Sequence, residues 1–166
     1  KIKSLLVQSV ILGEIKKGLD IELFVILALS LALGKAITKS GADQLFAGSI
    51  INLFHPLNSN VAVLLGVYLV TNILAMLVTN KAAVAITFPI AVAAAAKLGI
   101  DPKPFILAVA FAGCAEFMTP YGYQTNLMVY GPGGYKFRDY IRVGWGLSLL
   151  FMITCVAILG YMYNLY

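Results

Sequence analysis

Charge, histidine and cysteine are all scarce in this 166-residue chain, and each scarcity excludes something. Charged residues make up 11% and hydrophobic residues 61%, against about 25% and about 45–50% in a soluble domain. That is too little charge to cover a soluble surface. With a mean hydropathy of +0.92, the chain reads as a polytopic helical membrane protein rather than a soluble bundle. The single histidine, His55, gives no basis for a Ser/His/Asp arrangement, and no Cys/His cluster has metal-ligand spacing. The two cysteines, Cys114 and Cys155, lie inside separate apolar runs and read as small packing residues, not as a disulfide or a metal pair. Without a nucleophile–base or metal constellation, the pattern is not that of an enzyme. The net charge of +5 does not point to nucleic acid, because the lysines and arginines fall between apolar runs, where positive-inside topology accounts for them. A leader peptide is not expected either: Lys1-Ile-Lys3 and LLVQSVILG begin like one, but no small-residue cleavage site follows before Glu14.

Long apolar runs are what the chain has instead. Residues 1–18 are amphipathic and basic, with Lys1, Lys3, Lys16 and Lys17, and read as a cytoplasmic interfacial segment or a linker. The transmembrane part is expected over 19–166. Its first span is 19–40, with Asp20 and Glu22 at one end and Lys35 and Lys39 at the other. ADQLFAGSIINLF (42–54) reads as a short interfacial helix and HPLNSN (55–60) as a loop. Residues 61–98 are mostly apolar, and Thr79-Asn80-Lys81 is the one polar cluster in them available for a turn. One helix of that length would run about 57 Å at about 1.5 Å per residue, across a hydrocarbon core about 30 Å thick. The chain must turn at Thr79–Lys81. Either two full spans meet at a surface loop, or a helical hairpin turns inside the membrane with its tip buried in protein or lining a water-filled cavity. GIDPKP (99–104) is a loop, 104–130 a broken helix, GPGG (131–134) a stop, YKFRDYIR (135–142) a short basic segment, and 142–163 the last span. The basic segments at 1–18 and 135–142 both read as cytoplasmic, which places the N-terminus inside and the C-terminus outside. The expected location is the plasma (inner) membrane.

The second break is TPYGYQTN, Thr119 to Asn126. Interrupting a helix inside a bilayer leaves backbone groups unpaired at a cost of several kcal/mol each unless something binds them. Secondary transporters use such breaks: half-helix N-termini face anions, and unwound carbonyls hold sodium or protons. New half-helices are expected from Ala82 and from Leu127. Lys81 at the first turn is placed to neutralise an anion or to take a cation's place, if the hairpin is re-entrant. Glu116, one turn before the second break, has four readings: pairing with Lys81, carrying a proton, binding a cation, or facing water. Asn72 reads as an interhelical hydrogen-bonding residue.

VTNKAAVAITFPIAVAAA and FMTPYGYQTNLMVYGPGGYKFRDYIRVG resemble the divalent anion–sodium symporter family of the ion-transporter superfamily, and LALGKAITKSGA (31–42) is similar to the span before the hairpin in these permeases. The resemblance runs from about Leu19 to the end and implies an all-α membrane fold: one half, the C-terminal repeat, of an inverted-repeat transporter, with a re-entrant hairpin and a discontinuous helix. It implies that the hairpin tip (Thr79, Asn80) and the unwound loop (Thr119-Pro120 through Asn126) together form one sodium site and half of an anion site. The implied sodium ligands are Thr79, Asn80, Thr119 and Pro120, and the anion site also takes in Lys81, Gly122, Thr125 and Asn126. Pro120 and Gly122 permit the unwinding. The implied substrate is a small divalent anion such as sulfate or a dicarboxylate, with sodium as coupling ion, no other cofactor, a missing N-terminal repeat and a homodimer as assembly. Two residues depart from the pattern: Lys81 stands where the motif has a neutral residue, and Glu116 where a small one is expected. The alternatives within reach are sodium/proton exchange or arsenite export on the same fold, with Glu116 as proton carrier, and a membrane sensor that binds an anion without moving it.

Overall fold

A computed structural model describes residues 21–54 and 60–165; the expected interfacial segment at 1–18 and most of the HPLNSN loop lie outside the described residues. Within them the chain forms seven helices: α1 (Ile21–Ser40), α2 (Ala42–Phe54), α3 (Asn60–Leu77), α4 (Asn80–Leu98), α5 (Lys103–Cys114), α6 (Gln124–Tyr130) and α7 (Phe137–Met162). Among the described residues α3, α4 and α7 are each long and apolar enough to cross a membrane. The protein is an all-α membrane protein.

Local chemistry sets the ends of these helices. Gly41 adopts φ 72° between α1 and α2, a left-handed turn open to glycine at little cost. The Thr79 side chain caps α4 by accepting from the Ala82 amide at 3.3 Å. At the other end of α4, Gly99 has φ 69° and donates to Ala96, while Ile100 donates to Ala95, so two terminal carbonyls are satisfied in a Schellman arrangement. α7 starts earlier than the sequence pattern suggests. The Lys136 amide donates to the Asp139 carboxylate at 2.8 Å, and this cap draws the basic 137–142 stretch into one continuous helix with the last span. At 26 residues that helix is about 39 Å long, more than a hydrocarbon core needs, so Arg138 and Arg142 sit toward one end of it.

α3, α4 and α5 form the packed centre, and α1, α2 and α7 lie around it. Lipid tails are as apolar as leucine, so close packing rather than apolar burial holds such helices together. The chain supplies small residues for this: Ala83, Ala91, Ala93, Ala94 and Ala95 on α4, and Ala108 and Ala112 on α5, are buried. Tyr68, Leu64 and Phe105 fill the space between α3 and α5 and are fully buried. Neither cysteine is bonded, and Cys114, read from the sequence as a packing residue, is exposed at the end of α5.

Candidate functional site: two helix breaks beside one cavity

The second helix break runs from Ala115 to Tyr123, between α5 and α6. It opens earlier than the sequence suggests, so Glu116 stands inside it rather than a turn before it. It also closes earlier: the helix resumes at Gln124, not Leu127, and Thr125 and Asn126 occupy the first turn of α6. The first break is tighter. Only Val78 and Thr79 separate α3 from α4, and Asn80 and Lys81 begin the new helix.

Two asparagine amides hold the second break in shape. Asn72 on α3 is buried, and its side-chain N–H donates to the carbonyls of Ala112 (3.2 Å) and Ala115 (3.0 Å), where the helical ladder of α5 stops. Asn126 donates to the carbonyls of Glu116 (3.1 Å) and Thr119 (3.2 Å). In turn the Tyr140 hydroxyl of α7 donates to the Asn126 carbonyl at 3.0 Å. A break in a bilayer survives only where its freed carbonyls find such donors. α7 passes close by, and Gly144 makes the approach possible: a Cβ there would collide with the Phe117 carbonyl.

A cavity of about 680 Å³ lies where the two breaks meet, lined among others by Thr79, Asn80, Lys81, Gly122, Gln124 and Thr125. Lys81 and Thr125 are exposed and Asn80 is half-buried. The first N–H groups of α4 have no helical partner; the Thr79 oxygens take those of Ala82 and Ala83. Hydroxyls, amides and one ammonium therefore line one part of this cavity, beside apolar residues such as Leu29, Leu33, Ala85 and Leu127. A larger groove of about 930 Å³ between α1 and α4 is lined mainly by apolar residues, with Lys35 and Lys39 among its polar ones, and contains neither break.

Of the residues singled out in the sequence, Thr79, Asn80, Lys81, Gly122 and Thr125 line the cavity together. Pro120 is buried in the loop. Asn126 directs its amide at the loop's own carbonyls. Glu116 does not pair with Lys81 and does not face water. It is 2% exposed, and among the described residues the ion pair is Lys103–Asp101 at 3.7 Å. Sequence reasoning missed Tyr140 and Gly144. Tyr140 lies in the short basic segment that reads as cytoplasmic, and nothing local distinguishes Gly144 from Gly146.

The family model for citrate transporters matches residues 3–166. An uncharacterized transporter of Synechocystis is 38% identical over 152 residues, 92% of this chain and 25% of the relative. Sodium/sulfate cotransporter 2 of Chlamydomonas reinhardtii is 34% identical over 90% of this chain and 17% of its own length. A putative sulfur deprivation response regulator of the same alga is 38% identical over 75% of this chain and 21% of its own length. The chain thus spans a quarter or less of the length of these three relatives. What they share with it is the stretch that carries both breaks.

Proposed function

We propose that this chain, which belongs to the citrate transporter family of the ion-transporter superfamily, forms the C-terminal half of a sodium-coupled secondary transporter for a small divalent anion such as sulfate or a dicarboxylate. The observation that carries the reading is the meeting of two helix breaks at one cavity, to which they bring hydroxyls, amides and an ammonium. A dianion there faces the positive end of α4, the Lys81 ammonium and the Thr79 and Thr125 hydroxyls, all of which favour negative charge. Coupling to sodium follows the relative named a sodium/sulfate cotransporter, and the sodium is cargo alongside the anion. Thr79, Asn80, Thr119 and Pro120 are its ligands in this reading. Asn126 contributes by fixing the loop.

In the membrane, residues 19–166 form the transmembrane repeat and residues 1–18 a cytoplasmic or interfacial segment. The hairpin α3–α4 is re-entrant, the C-terminus lies outside, and a second repeat elsewhere in the full protein completes the site. Two copies form the working dimer. The match to family members named as transporters accords with transport rather than catalysis.

Uptake of labelled sulfate by the complete protein in proteoliposomes, with and without a sodium gradient, tests this. Sodium-driven accumulation supports the reading, and absence of uptake for both sulfate and dicarboxylates overturns it. A second reading has its own support in the similarity to a putative sulfur deprivation response regulator: a sensor that binds the anion and does not move it. Saturable sulfate binding without uptake would select the sensor.

A further inference from the structure

We propose that Glu116 supplies a full negative charge to the monovalent-cation site at the unwound loop, beside the Thr119 hydroxyl. The proposal rests on the transporter reading above and adds to it a charged ligand that a break made only of hydroxyls and carbonyls lacks.

Among the described residues four buried side-chain polar atoms have no hydrogen-bond partner, and three of them are Glu116 Oε1, Glu116 Oε2 and Thr119 Oγ1. They converge on Gly122. A Cβ on that glycine would overlap Glu116 Oε2 and would lie 2.9 Å from Thr119 Oγ1. The missing side chain therefore lets the carboxylate and the hydroxyl close in on the same point of the backbone. The Asn80 side chain of the hairpin tip also interacts with the carboxylate, without forming an aligned hydrogen bond to either of its oxygens. Asn126 grips the backbone carbonyls of both Glu116 and Thr119, so the two ligands are carried on a pinned loop.

A buried carboxylate with no partner costs several kcal/mol, and native structures relieve that cost with a counter-ion or a proton. The protein supplies no counter-ion of its own: Lys81 is exposed and lines the cavity, and no described basic side chain pairs with Glu116. Hard cations take oxygen ligands, and unwound helix segments hold sodium in this way. No group of three or more His, Cys, Asp or Glu side chains occurs among the described residues. One carboxylate balances one positive charge, which selects a monovalent ion over a divalent metal. Lys81 is then free to meet the anion in the cavity. A cation held at these oxygens and an anion in the cavity each lower the electrostatic cost of the other.

The test is sodium binding to the purified complete protein with no anion present and ionic strength held by choline. Radioactive sodium binding and the sodium-dependent rise in melting temperature are the two readouts. Glu116→Gln keeps the shape and removes the charge, and it should weaken sodium binding by at least about tenfold. Its melting temperature in choline should match or exceed that of the parent. Thr119→Val should weaken binding less, and Glu116→Asp should bind sodium better than Glu116→Gln, which a purely structural role does not require. Sodium affinity of Glu116→Gln within twofold of the parent overturns the proposal. So does a parent protein whose melting temperature ignores sodium and follows pH instead, because the charge is then met by a proton. Sulfate uptake does not enter these readouts, so failure of the anion reading remains distinguishable from failure of this one.

Discussion

Asn72 offers a sharp test of how the broken helix is maintained. Its amide donates two hydrogen bonds across helices, to Ala112 and Ala115, and it is 5% exposed. Asn72→Leu keeps the bulk and removes both donations. A hydrogen bond contributes about 0.5–1.5 kcal/mol net, and interhelical bonds in membranes average about 0.6 kcal/mol. Two bonds then give about 1–3 kcal/mol. The Ala115 carbonyl has no replacement donor in the described hydrogen bonds, whereas Ala112 keeps the Ala115 amide at 3.3 Å. That lost partner moves the expected cost to the middle of the range, about 2 kcal/mol. Asn72→Asp should be worse, because it places carboxylate oxygens against two carbonyl oxygens in a buried site, and an uncompensated buried charge costs about 3–5 kcal/mol. Thermal unfolding of the detergent-purified complete protein, with limited proteolysis of the 115–123 loop, should rank parent, Asn72→Leu and Asn72→Asp in that order. If Asn72→Asp is as stable as the parent, the amide is not the donor and the reasoning is refuted.

Other substitutions separate the remaining roles. Gly144→Ala should destabilise by about 1–3 kcal/mol, since the added methyl meets the backbone carbonyl of Phe117 and not a side chain that can swing away; an unchanged melting temperature would show that α7 does not press on the loop. Lys81→Gln should weaken sulfate binding about tenfold or more at unchanged melting temperature, because a unit charge near 4 Å contributes between about 1 kcal/mol in water and about 4 kcal/mol near a protein surface; equilibrium sulfate binding checks this. Asn80→Ala and Asn126→Ala should each abolish sulfate uptake while the protein still inserts in the membrane. For Asn126 the loss should come with faster cleavage of the 115–123 loop, since its contacts are to that loop's carbonyls.

The existence of both breaks was legible because polar residues inside apolar runs have few uses other than a turn or a site. Their limits were not. Threonine and asparagine are favoured at a helix N-cap and tolerated in the first turn, so Thr125 and Asn126 in sequence do not reveal whether they precede α6 or begin it. The early opening at Ala115 depends on Asn72, whose amide arrives from more than forty residues away. No local pattern encodes such a partner. The same holds for Gly144 and Phe117, brought together only when α7 packs beside the loop. The start of α7 was encoded locally but masked: Asp139 three residues after Lys136 is a cap signal, set within a basic stretch that reads as a segment apart from the last span.

The way the second break is satisfied bears on where free energy remains available for binding. Unwinding α5 frees backbone carbonyls, and asparagine amides from α3 and α6 meet those of Ala112, Ala115, Glu116 and Thr119. The protein itself thereby satisfies these four carbonyls. A ligand that merely replaced those bonds would gain little, because each exchange trades one satisfied carbonyl for another. Among the buried side-chain atoms of the loop, the Glu116 carboxylate and the Thr119 hydroxyl are left without partners. They sit on residues whose backbones the asparagine clamp immobilises. Orientation entropy has been spent in folding, so an ion that meets those oxygens does not have to order them. Releasing the clamp should therefore weaken ion binding even though Asn126 need not touch the ion, and Asn126→Ala should lower sodium affinity in the same assay that tests Glu116. Unaltered sodium binding in that variant would separate the loop's shape from the ion's site.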